Sequence, residues 1–283
     1  MIAAALKDEA FLADLVEVAP NNDCLNLWWL GQSGYLIHHR GNWLLLDPYL
    51  SDSLTRKYAS TDKPHVRMTE QVIGPEMLGR ATVVTASHHH TDHLDPETLR
   101  PLVQANPSIT LVCPAAHCKL AHERSGLHGE QIIGLSEGLE IESGGFHIAA
   151  VPAAHEALDR DQNGHLLYLG FVVKAGPWTI YHSGDTVLYP GMEDLLRPMG
   201  IDVALLPING RAPERRVAGN LTGLEAAKLA SAIGAQWVIP CHYDMFEFNT
   251  ASPGDFEAEC RRLGQAYSVL RAGERWTLGQ PCC

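Results

Sequence analysis

The chain has 283 residues, 46% hydrophobic and 19% charged, a composition that buries a core and excludes a disordered or fibrous chain. Lys and Arg number 21 against 33 Asp and Glu, a formal charge of −12 with histidine neutral, so a phosphate-neutralising nucleic-acid surface is not expected. No apolar run approaches the roughly 20 residues that cross a bilayer. The expectation is a soluble, acidic protein with 15 histidines to explain.

Residues 1–19 carry Asp8, Glu9, Asp14 and Glu17 among alanines and leucines. They lack the basic start and unbroken apolar core of a secretory signal. They read instead as an amphipathic helix with Leu6, Phe11, Leu12 and Leu15 on or near one face. Short β-rich runs follow at 25–29 and 43–46, with Gly41-Asn42 in the turn between them. Buried strands are expected at 81–86 and 109–113, separated by a helix over 96–104. Further strands fall at 146–151, 168–173, 178–182, 203–206 and 238–239. A helix over 222–233 starts at Thr222, with Glu225 completing a capping box. A helix at 256–263 and a last strand at 268–270 close the pattern.

Strands arrive first in pairs and later alternate with helices, which favours a mixed α/β sandwich over one parallel sheet. With no Pro/Ser/Gly-rich linker and no internal sequence repeat, the expectation is one domain over 1–283, residues 1–20 forming a helical extension. Seven scattered cysteines without a C-x-x-C pair point to reduced thiols in a cytoplasm, and Cys282-Cys283 lacks the arrangement of a prenylation signal.

The informative segment runs from Thr85 to Asp95 and holds His88, His90, Asp92 and His93 as H-x-H-x-D-H. It follows an apolar strand and precedes Pro96, and strand end to helix start is where α/β folds place chemistry. Imidazole nitrogen and carboxylate oxygen are the donors that borderline-to-hard divalent ions accept without thiolate. Three more candidate ligands each stand just past an apolar strand: His155, Asp185 and His242. Taken singly, each is more often a hydrogen-bonded structural residue, and a histidine-rich loop can bind metal adventitiously.

In this order these motifs resemble the metallo-β-lactamase fold superfamily, over about 26–242, with Leu44-Leu45-Leu46-Asp47-Pro48 matching its early strand ending in aspartate. The resemblance implies an α/β, four-layer αβ/βα sandwich of two mixed β-sheets flanked by helices. It implies two divalent ions per chain, Zn2+ or Mn2+, His88, His90 and His155 holding one and Asp92, His93 and His242 the other. Asp185 would bridge them, and Asp47 would brace the histidine loop. A metal-bridging hydroxide would attack carbonyl carbon or phosphorus, with Asp92 and Asp185 as the catalytic carboxylates. The flavodiiron branch would carry glutamate where His90 stands, and the persulfide dioxygenase branch, with one iron, leaves Asp92 and His242 without a purpose. Hydrolysis is therefore the expected chemistry.

Within the superfamily, Leu27-Trp28-Trp29-Leu30-Gly31-Gln32-Ser33-Gly34, 181–185, 201–205 and 238–244 are similar to the L-ascorbate-6-phosphate lactonase-like group. That group implies a lactone or carboxylic ester of a phosphorylated or acidic small molecule, and manganese. The chain departs from it at Ala153-Ala154-His155-Glu156, where the namesake has aspartate-rich residues. Cations for such a substrate are expected from Asn209-Gly210-Arg211 and from His65 and Arg67, with Tyr243 donating to an oxyanion. A phosphodiesterase similar to the N-acyl-phosphatidylethanolamine phospholipase D branch is the rival hydrolase. A non-catalytic metal-binding module is the rival of another class. The expected partner is a small molecule, not nucleic acid or membrane, and a homo-oligomer is compatible with all of this.

Overall fold

In the computed structural model, which describes residues 1–18 and 23–279, two seven-stranded sheets form. The first contains β1 (Leu25–Gly31), β2 (Gly34–His39), β3 (Asn42–Leu46), β4 (Val83–Thr85), β5 (Thr110–Pro114) and β6 (Ile132–Leu135). The second contains β7 (Glu140–Ser143), β8 (Phe146–Pro152), β9 (Leu169–Ala175), β10 (Trp178–His182), β11 (Val203–Pro207), β12 (Trp237–Cys241) and β13 (Ala266–Tyr267). The chain then returns to the first sheet, where β14 (Arg275–Leu278) pairs antiparallel with β1.

Both sheets follow one plan. In the first, β1 to β3 are antiparallel neighbours and β3 to β6 run parallel. In the second, β7 to β10 are antiparallel and β10 to β13 run parallel. The central strands are buried along their whole length, as strands covered on both faces must be: β1, β2 and β11 have no exposed residue.

Helices cover the outer faces. α1 (Asp8–Glu17) buries Phe11 and Leu15, and its Asp14 accepts the Trp28 indole N–H at 2.6 Å. A short α2 (Ser53–Tyr58) follows β3. α3 (Pro96–Ala105) packs beside α4 (Cys118–Ser125), which lies on β5 and β6. After α5 (Met192–Leu196), α6 (Gly223–Ala232) lies on β11 and β12 with α7 (Gly254–Leu263) against it. The ordered layers are the expected sandwich of two mixed sheets flanked by helices. Its seam is tied by Tyr35, whose hydroxyl donates to the Pro240 carbonyl at 3.1 Å, and by Leu169, whose N–H donates to the Ser87 carbonyl at 3.0 Å.

The helix starts are those the sequence dictates. Asp95 caps α3 and Pro96 opens it, where the missing N–H has no intrahelical partner to lose. Thr222 and Glu225 form the reciprocal capping box of α6. Two expectations differ from the fold. The Gly41 turn belongs to a hairpin between β2 and β3, so a whole strand stands where only a connection was read. The proposed strand at 268–270 is irregular, and the chain pairs on either side of it, as β13 and β14. Cys113, Cys118, Cys241 and Cys260 are free thiols; Cys282 and Cys283 lie outside the described residues. Among the described residues no helix is long and apolar enough to cross a membrane.

Strand direction decides where the chemistry goes. β3 and β4 run parallel, so Asp47 and the histidine loop leave the first sheet at one edge. β1 points the same way as β3, since β2 is antiparallel to both, and its following turn puts Gln32 at that edge as well. β8, β10 and β12 share one direction in the second sheet, so the chain leaves them toward His155, Asp185 and His242 at a common edge.

Candidate metal centre

These strand ends converge. One donor atom each of His88, His90 and His155 lies within 4.8 Å of the others, and so do donor atoms of Asp92, His93 and His242. Asp185 stands between the two groups, with Oδ1 3.3 Å from His93 Nε2 and Oδ2 3.3 Å from His242 Nε2 and 3.7 Å from His155 Nε2. Gly184 makes this approach feasible: its φ is +59°, and an added Cβ would sit 2.6 Å from the Ser87 Cβ. Any larger residue would push the Asp185 loop off the histidine loop.

The rings are oriented from behind. His93 Nδ1 donates to Asp47 Oδ2 at 2.7 Å, and His155 Nδ1 donates to the Gly219 carbonyl at 2.9 Å. Each bond turns the far ring nitrogen, Nε2, toward the cluster. Asp47 is wholly buried and also accepts from the Ser87 N–H at 3.0 Å, the Ser87 hydroxyl and the Thr85 hydroxyl at 3.0 Å. It therefore ties the end of β3 to the histidine loop, and with His88 and His93 it forms a third group of donors within 4.8 Å of one another.

Charge is distributed as a cation site requires. Burial alone would raise Asp185, but the His242 and His93 imidazoles hold its carboxyl well below the usual range. Burial likewise works against Asp92 and is outweighed, chiefly by His93. His93 is held well above the ordinary histidine value because Asp185 and Asp92 overcome its desolvation. His88 and His90 are lowered, by burial first and then by neighbouring imidazoles and, for His88, most of all by His93. The carboxylates are thus ionised and the His88 and His90 rings neutral, the forms that ligate metal. His88 Nε2 and His93 Nε2 are buried without a hydrogen-bond partner. Orphaned nitrogens of this kind, with two ionised carboxylates beside them, fit divalent metal.

The cluster opens into a cavity of about 280 Å³. Asp92, Asp185 and His242 line one part of it, and Tyr58, His65, Phe246 and Phe248 another. Tyr58 and His65 stack at 4.1 Å, with Phe248 4.4 Å and Phe246 5.2 Å from the His65 ring. Burial lowers His65, so its ring is neutral at neutral pH, and Lys57 lays its Nζ 5.1 Å from the Tyr58 ring centre in the same lining.

Of the residues expected to meet substrate, only His65 lines the cavity. Arg67 does not: its guanidinium donates to the Thr69 and Ser51 carbonyls at 2.8 Å, tying the segment before it to the α2 loop. Arg211 is spent on a two-pronged pair with Glu225, at 2.8 and 2.5 Å. Tyr243 turns into the core, stacked 4.4 Å from Trp29 with its hydroxyl donating to the Leu270 carbonyl. Asn209 is one step removed; it donates to Asn249 at 3.0 Å and accepts from Asn220 at 3.1 Å, and those two residues line the cavity. His182 points away from the cluster, donating to the Ser33 carbonyl at 2.9 Å. His89, on the off-beat of the motif, lines the cavity too.

Sequence reasoning missed Gln32 and the aromatic wall. Gln32 Nε2 donates to Asp92 Oδ2 at 2.7 Å and lies 3.0 Å from His242 Nε2. Its position in Gly31-Gln32-Ser33-Gly34 was the available signal: a polar residue in a tight turn following an apolar strand. Tyr58, Phe246 and Phe248 carry no spacing that separates a cavity wall from ordinary core.

Residues 42–243 match the model of a family described as a beta-lactamase superfamily domain. A metal-dependent hydrolase of Opitutus terrae is 30% identical over 255 residues, 88% of this chain and 98% of that protein. A metallo hydrolase of the archaeon Ignicoccus hospitalis is similar with a TM-score of 0.65 at 22% identity, over 91% of this chain and 99% of that one. An isothiocyanate hydrolase from Delia radicum gut bacteria is similar with a TM-score of 0.71 at 19% identity, over 91% of this chain and 100% of that one. At these identities the two structures bear on the fold alone.

Proposed function

Since the chain belongs to the beta-lactamase superfamily, we propose that it is a metal-dependent hydrolase working with two divalent ions on the carbonyl of a carboxylic ester or lactone. One observation carries the reading: Asp185 lies within 3.3 to 3.7 Å of imidazoles from both donor groups, the place of a carboxylate shared by two cations. His88, His90 and His155 would hold one ion and Asp92, His93 and His242 the other. Such a pair supplies Lewis acidity and a nucleophile that is deprotonated at neutral pH. The protein's own part is to fix the rings through Asp47 and Gly219 and to keep Asp92 and Asp185 ionised. A carboxylate held so far below its usual range is a ligand and a weak proton acceptor, and that limits Asp185 to relaying a proton rather than storing it.

The cavity wall supports a substrate whose unreacting part is flat and apolar. Tyr58, His65, Phe246 and Phe248 offer ring faces, and full burial of such a group is worth about 1.5–3 kcal/mol. Arg67 and Arg211 are engaged elsewhere and Arg124, in the cavity lining, is tied to the His89 and Leu94 carbonyls, so an anionic group on the substrate would meet Lys57, whose Nζ lies 5.1 Å from the Tyr58 ring centre. Phosphodiester hydrolysis is the second reading, favoured by the same two-cation arrangement.

The test is metal content together with turnover of aryl esters, lactones and bis(p-nitrophenyl)phosphate, on wild type and Asp185→Asn. About two ions per chain are expected, with a loss of ~10–100-fold in affinity or rate in the variant. Ester or lactone turnover far above the phosphodiester supports the first reading, and the reverse ratio selects the second. Full metal content with no hydrolysis of any of the three would overturn both and leave a metal-binding module.

A further inference from the structure

We propose that Gln32 is itself a metal ligand: its side-chain carboxamide oxygen completes the Asp92, His93 and His242 site and makes that site prefer a harder cation than its three-imidazole neighbour. The inference concerns metal binding and stands whether or not the substrate reading above is correct.

Gln32 is 1% exposed and sits in the turn between β1 and β2, at the edge where the donor residues gather. The end of its amide lies 2.7 Å from Asp92 Oδ2 and 3.0 Å from His242 Nε2. Bonds of about 2.0–2.2 Å to a common ion put neighbouring donor atoms roughly 3 Å apart. The spacing is therefore that of donors in one coordination sphere. The other end of the amide, Oε1, is buried and has no hydrogen-bond partner.

This combination has a chemical reading. Facing a bare carboxylate, an amide turns its N–H toward it; facing a cation, it turns its oxygen. The last torsion of a glutamine is broad and roughly two-fold, so a half turn exchanges the two ends. Because Oε1 makes no hydrogen bond where it lies, the exchange forfeits none there. The root of the side chain meanwhile stays in place. Its backbone carbonyl accepts from the His242 N–H at 2.9 Å and from the Trp29 indole at 3.0 Å. Gln32 is thus anchored to the same residue whose imidazole it meets.

The consequence is a pair of unlike sites. One offers three imidazoles, which suit Zn2+. Beside the shared Asp185, the other offers two imidazoles and two further oxygens, from Asp92 and Gln32, and carboxylate and carbonyl donors suit Mn2+ and Mg2+.

The decisive comparison is metal-stripped wild type, Gln32→Leu and Gln32→Glu, each titrated with Mn2+ and with Zn2+ alone. Bound metal is read by elemental analysis, and coordination by the absorption spectrum of the Co2+-loaded protein. The expected result is that Gln32→Leu keeps the first ion and loses about tenfold or more in affinity for the second. Gln32→Glu, which still offers oxygen, keeps or tightens the second site and its preference for Mn2+. A glutamine acting only as an N–H donor gives the opposite for Glu, since a carboxylate cannot donate and would repel Asp92. Second-ion affinity falling in Gln32→Glu as far as in Gln32→Leu would therefore overturn the proposal. So would unchanged second-ion affinity in Gln32→Leu, or a wild type that takes up a single ion. The anchoring backbone bonds survive both substitutions, and a thermal melt of each variant confirms the fold.

Discussion

Asp47 shows how much of the proposed centre rests on one side chain. It is buried, carries a carboxyl held below its usual range despite desolvation, and binds Ser87, Thr85 and His93 at once. Replacing it by alanine removes the acceptor that orients the His93 ring and leaves the Ser87 N–H without this partner in the interior, a loss of about 1–3 kcal/mol for each unsatisfied group. Asp47→Ala should reduce metal affinity by roughly 10–100-fold and lower the melting temperature of the metal-free protein as well. Equilibrium dialysis and calorimetry separate the two effects, and an unchanged melt would mean that Asp47 serves only the metal. Asp47 was legible through resemblance, because Leu44-Leu45-Leu46-Asp47-Pro48 matches the superfamily's early strand ending in aspartate. Gln32 was not: its tight turn after an apolar strand points to the sheet edge, but the partner that gives it meaning stands 60 residues away.

β2 is the element where sequence and structure part most clearly. Gly34–His39 stands where the sequence offered only a turn between strands; His38 pairs with Asn26 of β1 and Trp43 of β3, His39 with Asn42 of β3, and both are buried. His38 accepts the Gly41 N–H at its Nε2 at 3.1 Å and packs 4.3 Å from Trp43, so its ring is held neutral, with burial pushing its pKa down to about 4. The unfolded chain binds a proton there near the ordinary 6.5, and the folded chain does so only near 4. Between these values the unfolded state binds more protons, so stability is complete above about pH 6.5 and is lost as pH falls toward 4. Denaturant midpoints of the metal-stripped protein should fall over that window, and His38→Gln should flatten the slope. An identical slope in the variant would assign the acid sensitivity to other groups. The parallel strands were easier to read than β2, since β4, β5, β10, β11 and β12 are short apolar runs bounded by turns. α2, a single short helix after Asp52, had no amphipathic pattern to reveal it.

Over the whole molecule, two sheets of the same plan meet along a seam, and each sends donor residues to the same edge. The first gives Gln32, Asp47 and the 88–93 loop; the second gives His155, Asp185 and His242. That convergence follows from strand direction alone, so it could be expected once the ligands were seen to follow strands. The duplicated plan itself left no trace in the sequence, because register and direction are set by backbone pairing and not by repeated side chains. Donors drawn from both sheets come together only when the sheets do, so ions bind the folded state and scarcely the unfolded one. Chelation should therefore lower the melting temperature, and excess metal should raise stability by about 2.7 kcal/mol when free metal is a hundredfold above Kd. Melts at graded free-metal concentration test this, and a melting point independent of metal would place the donors in the unfolded chain as well.

The backbone at Gln32, Asp47 and His242 is left-handed, with φ of +51°, +40° and +61°. None of the three is glycine, so each conformation costs of order 1 kcal/mol and is held by the packed strands around it. Selection for heat resistance alone would tend to replace these residues by glycine, relaxing the turn and discarding the donor in one step. At these turns a library ranked by stability alone would select against side chains that the proposed centre uses.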